Sequence, residues 1–252
     1  AKYNNENEIA SKYYRFANTK NPENNGILEL SLMSLILSGN VNTALQELSK
    51  YEKNLFTKQS KIAQLLYFIN NIKNEKYQKA LKILNNNKEI IVTTKVQPII
   101  KAWLSNNIAD AENEINNFEY KSDGLVMSDI YFLHLGLINK FYNNTDKAIN
   151  IFEKTFDSGI ENRLRHMFFY KDMIGNKINE NKVFNEFSKK NPSHSFNIYL
   201  NKNNLKAFEI KDRKDGISES LFNIAEALYS QRMYDLSITY CYLSLYLNNE
   251  NY

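Results

Sequence analysis

A recurring phrase divides most of the sequence into units of similar length. Each copy has a short polar loop, then an aromatic or aliphatic residue, then a small residue that opens an amphipathic segment. The small residues Ala44, Ala80, Ala111 and Ala148 are separated by 36, 31 and 37 positions, and Ala10 lies 34 positions before Ala44. A period of this length is typical of stacked helical repeats, in which each unit completes the core of its neighbour.

The composition agrees with a chain built from helices. Among 252 residues there are only 7 Gly and 3 Pro, too few for the frequent turns of a β-sandwich or barrel. A small side chain at one position of each unit lets two helix backbones approach closely where they cross. The sequence therefore predicts an all-α protein made of antiparallel helix pairs.

The phrase resembles the tetratricopeptide repeat, whose period is about 34 residues. When Ala148 is placed at the small residue of that repeat, Leu135 and Gly136 fall at its Leu-Gly pair and Phe152 at a later aromatic position. A final copy is centred on Ser237. The resemblance implies a tetratricopeptide-like α-solenoid, a right-handed superhelix of antiparallel helix pairs.

The last helix pair carries a narrower resemblance. Its segments 221–228 and 240–247 are similar to a phrase in tetratricopeptide proteins of alphaproteobacteria, which are commonly exported and about twice this length. This implies that the chain is the amino-terminal part of such a protein. Ala1 is not a Met and begins no signal-peptide pattern, so we expect a processed or trimmed amino terminus.

The fit to the repeat predicts three regions. Residues 1–192 form tetratricopeptide-like repeats, of which the first is only a half repeat. Residues 193–217 do not fit the repeat and are predicted to be an irregular linker or insertion, because they contain the charged run 211–216. Residues 218–252 form the final helix pair.

The charge pattern argues against nucleic acid as a partner. The net charge is +4, only five basic residues are Arg, and the Lys residues are scattered among Glu and Asn. Nucleic-acid surfaces instead cluster basic residues on one face. The longest apolar window, 27–37, is interrupted by Glu29, Ser31 and Ser34 and is too short for a transmembrane segment.

The sequence contains no grouping that predicts catalysis. His134, His166 and His194 are 32 and 28 positions apart, which matches no metal-binding motif. Cys241 is the only cysteine and lies in an apolar run, where an inert thiol is the better interpretation. Without a phosphate-binding loop or a nucleophile motif, we predict no enzyme activity, no cofactor and no metal.

In tetratricopeptide proteins, partners lie in a concave groove lined mainly by the first helix of each pair. The resemblance places apolar and aromatic residues there, with Glu29 and Met33 where a carboxylate-binding member has Lys and Asn, so an apolar peptide or an amphipathic helix fits better. Trp103 could anchor an interface, although a core position is the stronger interpretation. The predicted partner-binding residues are Met33, Ile69, Trp103, Leu137, Phe141, Arg163, His166, Tyr170, Phe222 and Tyr229.

The leading functional hypothesis is a non-catalytic scaffold that binds a peptide or helix of a partner protein in this groove. An alternative is a self-associating structural or assembly component of the cell envelope, because the ends of a repeat stack favour association. A third hypothesis is an accessory part of an enzyme whose catalytic domain lies elsewhere. We expect a periplasmic or envelope location if an upstream export signal exists, and a cytoplasmic one otherwise.

Overall fold

The computed structural model describes residues 2–21, 23–51, 60–87, 90–91, 96–117, 125–156, 164–175, 181–201 and 209–249. Every regular element within these ranges is a helix, which confirms the predicted all-α class for them. The helices, in chain order, are α1 (Lys2–Lys20), α2 (Asn25–Leu37), α3 (Val41–Ser49), α4 (Lys61–Lys73), α5 (Tyr77–Asn86), α6 (Gln97–Leu104), α7 (Ile108–Asn116), α8 (Leu125–Phe141), α9 (Thr145–Phe156), α10 (Leu164–Ile174), α11 (Lys182–Lys190), α12 (Phe196–Asn201), α13 (Arg213–Ser230) and α14 (Tyr234–Leu247).

The chain divides into two compact units. The first comprises Ala1–Ile100 together with Ile217–Tyr252, and the second comprises Lys101–Gly216. In the first unit α1 packs on α2, α2 on α3, and α4 on α5. In the second, α7 packs on α8, α8 on α9, and α9 on α10. Helices adjacent in sequence are therefore adjacent in space, as the repeat pattern predicts.

The same turn joins the two helices in four of the pairs. One residue in each turn has a positive φ, between 56° and 80°, and its N–H donates to the carbonyl three residues earlier. The following N–H donates to the carbonyl five residues earlier, which is the Schellman arrangement that ends a helix and satisfies its last carbonyls. These left-handed residues are Gly39, Glu75, Asn143 and Arg232.

Each left-handed residue stands five positions before the small residue of its repeat. Ala44, Ala80 and Ala148 have no exposed surface, and Ser237 is buried. In the α8–α9 pair a Cβ atom at Gly136 would lie 2.8 Å from the ring of Phe152, so a larger residue would push these helices apart. The small residues are thus buried in these pairs, as a position at a helix crossing requires.

The predicted linker at 193–217 contains helical structure at both ends. It holds α12 and the first turns of α13, which begins at Arg213 inside the charged run. Asp215 Oδ2 accepts the N–H groups of Lys211 and Asp212, at 2.8 and 3.2 Å, and the Asp215 N–H donates to Asp212 Oδ1 at 3.0 Å. The two aspartates therefore cap the start of a helix, which accounts for charged residues at this point. Residues 202–208 lie outside the described ranges.

The last helix does not pack only on its neighbour in sequence. Within the first unit, α14 contacts α2, α3 and α4. Lys73 at the end of α4 donates to the carbonyl of Leu247 at 3.1 Å and lies 5.3 Å from the ring of Tyr246. A linear solenoid has contacts between successive repeats only, so this packing departs from the predicted architecture within that unit.

Candidate functional site

A cavity of about 440 Å³ opens in the second unit between α8, α10 and the segment that leads into α13. Its floor is apolar, and its rim is polar or charged. The residues that line it are Leu137, Lys140, Phe141, Asn143, Phe169, Asp172, Met173, Glu209, Ile210 and Lys211. Half of these ten residues are apolar and half are polar or charged, so the cavity can offer a ligand both apolar contact and polar groups.

The floor is made by one pair of apolar residues from each helix. Leu137 and Phe141 are four positions apart on α8, and Phe169 and Met173 are four positions apart on α10. Residues with this spacing share one face of a helix. The second pair follows the first by 32 positions, so two successive helix pairs contribute to the same surface.

The rim carries two charges of each sign. Lys140 and Lys211 contribute positive groups, Asp172 and Glu209 contribute negative groups, and all four residues are exposed. Asn143, the left-handed residue of the turn after α8, adds an amide. Because the charges balance, the rim favours no anionic ligand such as a carboxylate or phosphate over a cationic one.

Phe141 is held by a buried group behind the cavity. Its ring packs edge-on against Trp103, with centroids 5.8 Å apart. The Trp103 Nε1–H donates to His134 Nδ1 at 3.0 Å, and both of these side chains are buried. A Cβ atom at Gly216 would lie 2.2 Å from the indole, so the backbone of α13 comes as close to Trp103 as a glycine allows.

α10 is also held in place by contacts of Tyr170. The Tyr170 hydroxyl bonds to Glu153 Oε1 at 2.6 Å and accepts from Asn181 Nδ2 at 2.8 Å. The ring stacks on Phe184, with centroids 5.6 Å apart. Burial, reinforced by the hydrogen bond to Glu153, raises the pKa of Tyr170 well above its usual range, so the phenol stays a neutral donor. The cavity is therefore built on rigid neighbouring elements.

The chemical groups of the lining are amines, carboxylates and one amide. Among the described residues that line the cavity there is no Ser, Thr, Cys or His side chain, and the two carboxylates are exposed on the rim. In the part of the chain that the structure describes, no three His, Cys, Asp or Glu side chains lie close enough together to hold a metal ion. Among the described helices, none combines the length and apolar character that crossing a membrane requires.

Two of the ten predicted partner-binding residues, Leu137 and Phe141, line the cavity. Four of the ten are less than 4% exposed and do not line the cavity, so they present almost no surface to a partner: Ile69, Trp103, His166 and Tyr170. Leu137 is 2% exposed and contributes only a small area to the cavity floor. Those that are half-buried are Met33, Phe141 and Phe222. Tyr229 is 66% exposed, and Arg163 lies outside the described residues.

The repeat register for α10 is displaced by three positions from the residues that border the cavity. It placed His166 and Tyr170 on the groove, whereas Phe169 and Met173 border the cavity. Three residues turn a helix by about 300°, which leaves the predicted face about 60° away from the observed one. This unit has no alanine at the small position to fix its register, so the spacing of 32 between Leu137 and Phe169 was not recognised. The aromatic run 167–170 was the available signal.

No family model matches the chain, and neither the curated proteins nor the solved structures include a significant match.

Proposed function

We propose that this protein is a non-catalytic interaction scaffold that binds a peptide segment of a partner in the cavity between α8 and α10. The observation that carries the proposal is the apolar floor, built from two successive helix pairs and bordered by charges of both signs. The described lining has no Ser, Thr or Cys, and its two carboxylates are exposed to solvent, which supports a binding role over a catalytic one.

The size of the cavity limits the ligand to one or a few side chains. Burying one Leu, Phe or Met side chain against the floor contributes about 1.5–3 kcal/mol. Association and ordering of a peptide cost a comparable or larger amount, so contacts beyond the anchor are required for micromolar affinity. The best candidate is a segment with one large apolar anchor and charged residues on either side, which the balanced rim can pair.

Selection from a displayed peptide library tests this proposal. We expect the selected peptides to share a large apolar residue flanked by charges. Trp103 is the only tryptophan and touches Phe141, so binding should change its fluorescence. Met173→Glu places a charge in the floor and should weaken binding at least about tenfold, because an apolar contact is replaced by an ion that must be desolvated.

Lys154→Glu provides the matched control. Lys154 is exposed on α9 and does not line the cavity, so its reversal changes the charge without touching the floor. Binding of the selected peptides should be unchanged in this variant. If Met173→Glu and Lys154→Glu bind these peptides equally well, the cavity is not the binding site and the proposal fails.

The resemblance to exported tetratricopeptide proteins extends the proposal to the cell envelope. Fractionation of native cells, followed by detection of the protein in the periplasmic and cytoplasmic fractions, tests this extension. Recovery in the cytoplasmic fraction alone would contradict it and would leave the peptide-binding proposal standing.

A further inference from the structure

The first helix exposes three large apolar side chains along one face. Ile9, Tyr13 and Phe16 are 53%, 72% and 64% exposed. They stand at i, i+4 and i+7, which places them in a single stripe. The opposite face is the one that packs on α2 and holds the buried residues Ser11 and Asn18. α1 therefore has one face in the core and a second, apolar face in solvent.

The repeat register allows the stripe to be compared with the other second helices. Ile9 and Phe16 stand one position before and six positions after the small residue Ala10. The same two positions around the small residues of α5, α7 and α9 are polar and exposed: Lys79 and Asn86, Asp110 and Asn117, Lys147 and Lys154. Around Ser237 of α14 they are apolar, and Leu243 has no exposed surface. The exposed apolar pair of α1 therefore differs from both arrangements.

Opposite charges lie at the two ends of the stripe. Glu6 and Lys20 are exposed and each lies seven positions from Tyr13, on the same face of the helix. Lys12 pairs with Glu8 at 2.9 Å and Arg15 reaches Glu47 at 3.6 Å, whereas Lys20 lies over the ring of Phe16 in the stripe, 5.6 Å from its centroid. The face thus runs from an acidic end through an apolar centre to a basic end.

We infer that α1 binds α1 of a second copy of this chain in an antiparallel arrangement. A two-fold axis at Tyr13 brings Ile9 of each copy beside Phe16 of the other and sets Glu6 of each copy against Lys20 of the other. A parallel arrangement would oppose like charges at both ends. The face is therefore complementary to itself in the antiparallel orientation only, as a two-fold symmetric interface requires.

The interface is small, so the dimer is weak. A helix of 19 residues is about 28 Å long. One helix pair buries less surface than the roughly 1,200 Å² of a stable complex, so dissociation constants of about 10–500 µM are expected. This surface lies in the first unit and is independent of the proposed peptide site, so either proposal can fail without the other.

Sedimentation velocity over a range of protein concentrations tests the dimer with charge-reversal variants. Glu6→Lys alone and Lys20→Glu alone should each raise the dissociation constant at least about tenfold, because each opposes like charges twice in the symmetric dimer. An equimolar mixture of the two variants should form a heterodimer, and the double variant should dimerise like the unmodified chain. An unmodified chain that is monomeric at about 500 µM, or variants that dimerise equally well, would overturn the inference.

A disulfide at the axis tests the orientation. In a Cys241→Ser background, Tyr13→Cys places a thiol opposite its own counterpart and should give a covalent dimer under mild oxidation. Lys79→Cys, at an exposed position of α5, should give much less covalent dimer. Equal cross-linking of the two variants would contradict the axis. Monomeric protein that binds anionic phospholipid vesicles, and loses this binding in Phe16→Glu, would replace the second copy with a lipid surface and overturn the proposal.

Discussion

At the scale of single residues, backbone approach explains why two glycines stand where they do. Gly136 lets the ring of Phe152 approach α8, and Gly216 lets the indole of Trp103 approach the first turns of α13. Trp103 in turn supports Phe141 on the cavity floor. A glycine inside a charged run of the sequence therefore serves the packing of a buried aromatic cluster.

Gly216→Ala should destabilise the protein by about 1–3 kcal/mol, because the new methyl group overlaps a rigid ring and forces the backbone or Trp103 to move. Urea unfolding followed by Trp103 fluorescence measures both the stability and the changed environment of the indole. Gly26→Ala is the matched control. A Cβ atom there meets nothing closer than 3.5 Å, and alanine favours the helix, so stability should be unchanged or slightly increased. Equal stability of the two variants would show that the contact with Trp103 is relaxed in solution.

Cys241 should react slowly in the folded protein. Burial, with a smaller effect of Glu226, raises the pKa of the Cys241 thiol, so the reactive thiolate is scarce. Alkylation by iodoacetamide at pH 8 should be at least about tenfold slower than in the urea-unfolded chain, with its midpoint at higher pH. Because the folded state holds the thiol proton more tightly than the unfolded chain, Cys241 adds to the free energy of unfolding at low pH. This contribution is lost as the pH rises through the thiol pKa of the folded protein. If the pH midpoint of alkylation in the folded protein were equal to or lower than that of the unfolded chain, the raised pKa of Cys241 would be contradicted.

At the scale of elements, the repeated unit is defined by a turn as much as by its helices. Gly39, Glu75, Asn143 and Arg232 adopt the same left-handed conformation five positions before a small residue. Only one of the four is a glycine, so three of these turns hold a side chain in a conformation that costs about 1 kcal/mol. The sequence located these turns by their polar residues but did not indicate the backbone conformation, since Glu and Arg rarely adopt it.

Glu75→Gly and Arg232→Gly should each raise the free energy of unfolding by about 0.5–1 kcal/mol, because glycine adopts this conformation without strain. Asn143→Gly should have a smaller effect, since Asn tolerates the left-handed region. Gly39→Ala should lower the free energy of unfolding, because alanine is strained in this conformation and its methyl group would lie 3.1 Å from the ring of Tyr242. The midpoints of urea unfolding measure the stability of all four variants. A lower midpoint for Glu75→Gly would show that its side chain makes a compensating contact.

At the scale of the whole molecule, the packing of α14 on α2, α3 and α4 links the two ends of the first unit. Lys73 reinforces it by donating to Leu247 at the carboxyl end of α14, where a positive charge is favoured. Stability in this unit therefore depends on contacts between residues more than 150 positions apart.

Leu243→Ala should destabilise the first unit by about 2–5 kcal/mol, because it leaves a cavity in the helix that packs on α2–α4. Amide hydrogen exchange should lose protection in α2–α4 as well as in α14. Leu245→Ala, at a half-buried position of the same helix, is the matched control and should have a smaller effect. Loss of protection confined to α13 and α14 would contradict the long-range packing and favour a linear stack.

The sequence by itself determined the helix pairs, the turns between them and the buried alanines at their crossings. These features follow from local hydrophobic periodicity and from steric limits within about ten residues, which a single chain displays directly. Only the tertiary structure decided that Phe169 and Met173 rather than Tyr170 border the cavity, that α14 packs on α2–α4, and that α1 carries an apolar face outward. Each of these depends on which distant surfaces meet, and the hydrophobic periodicity of a single segment does not specify that.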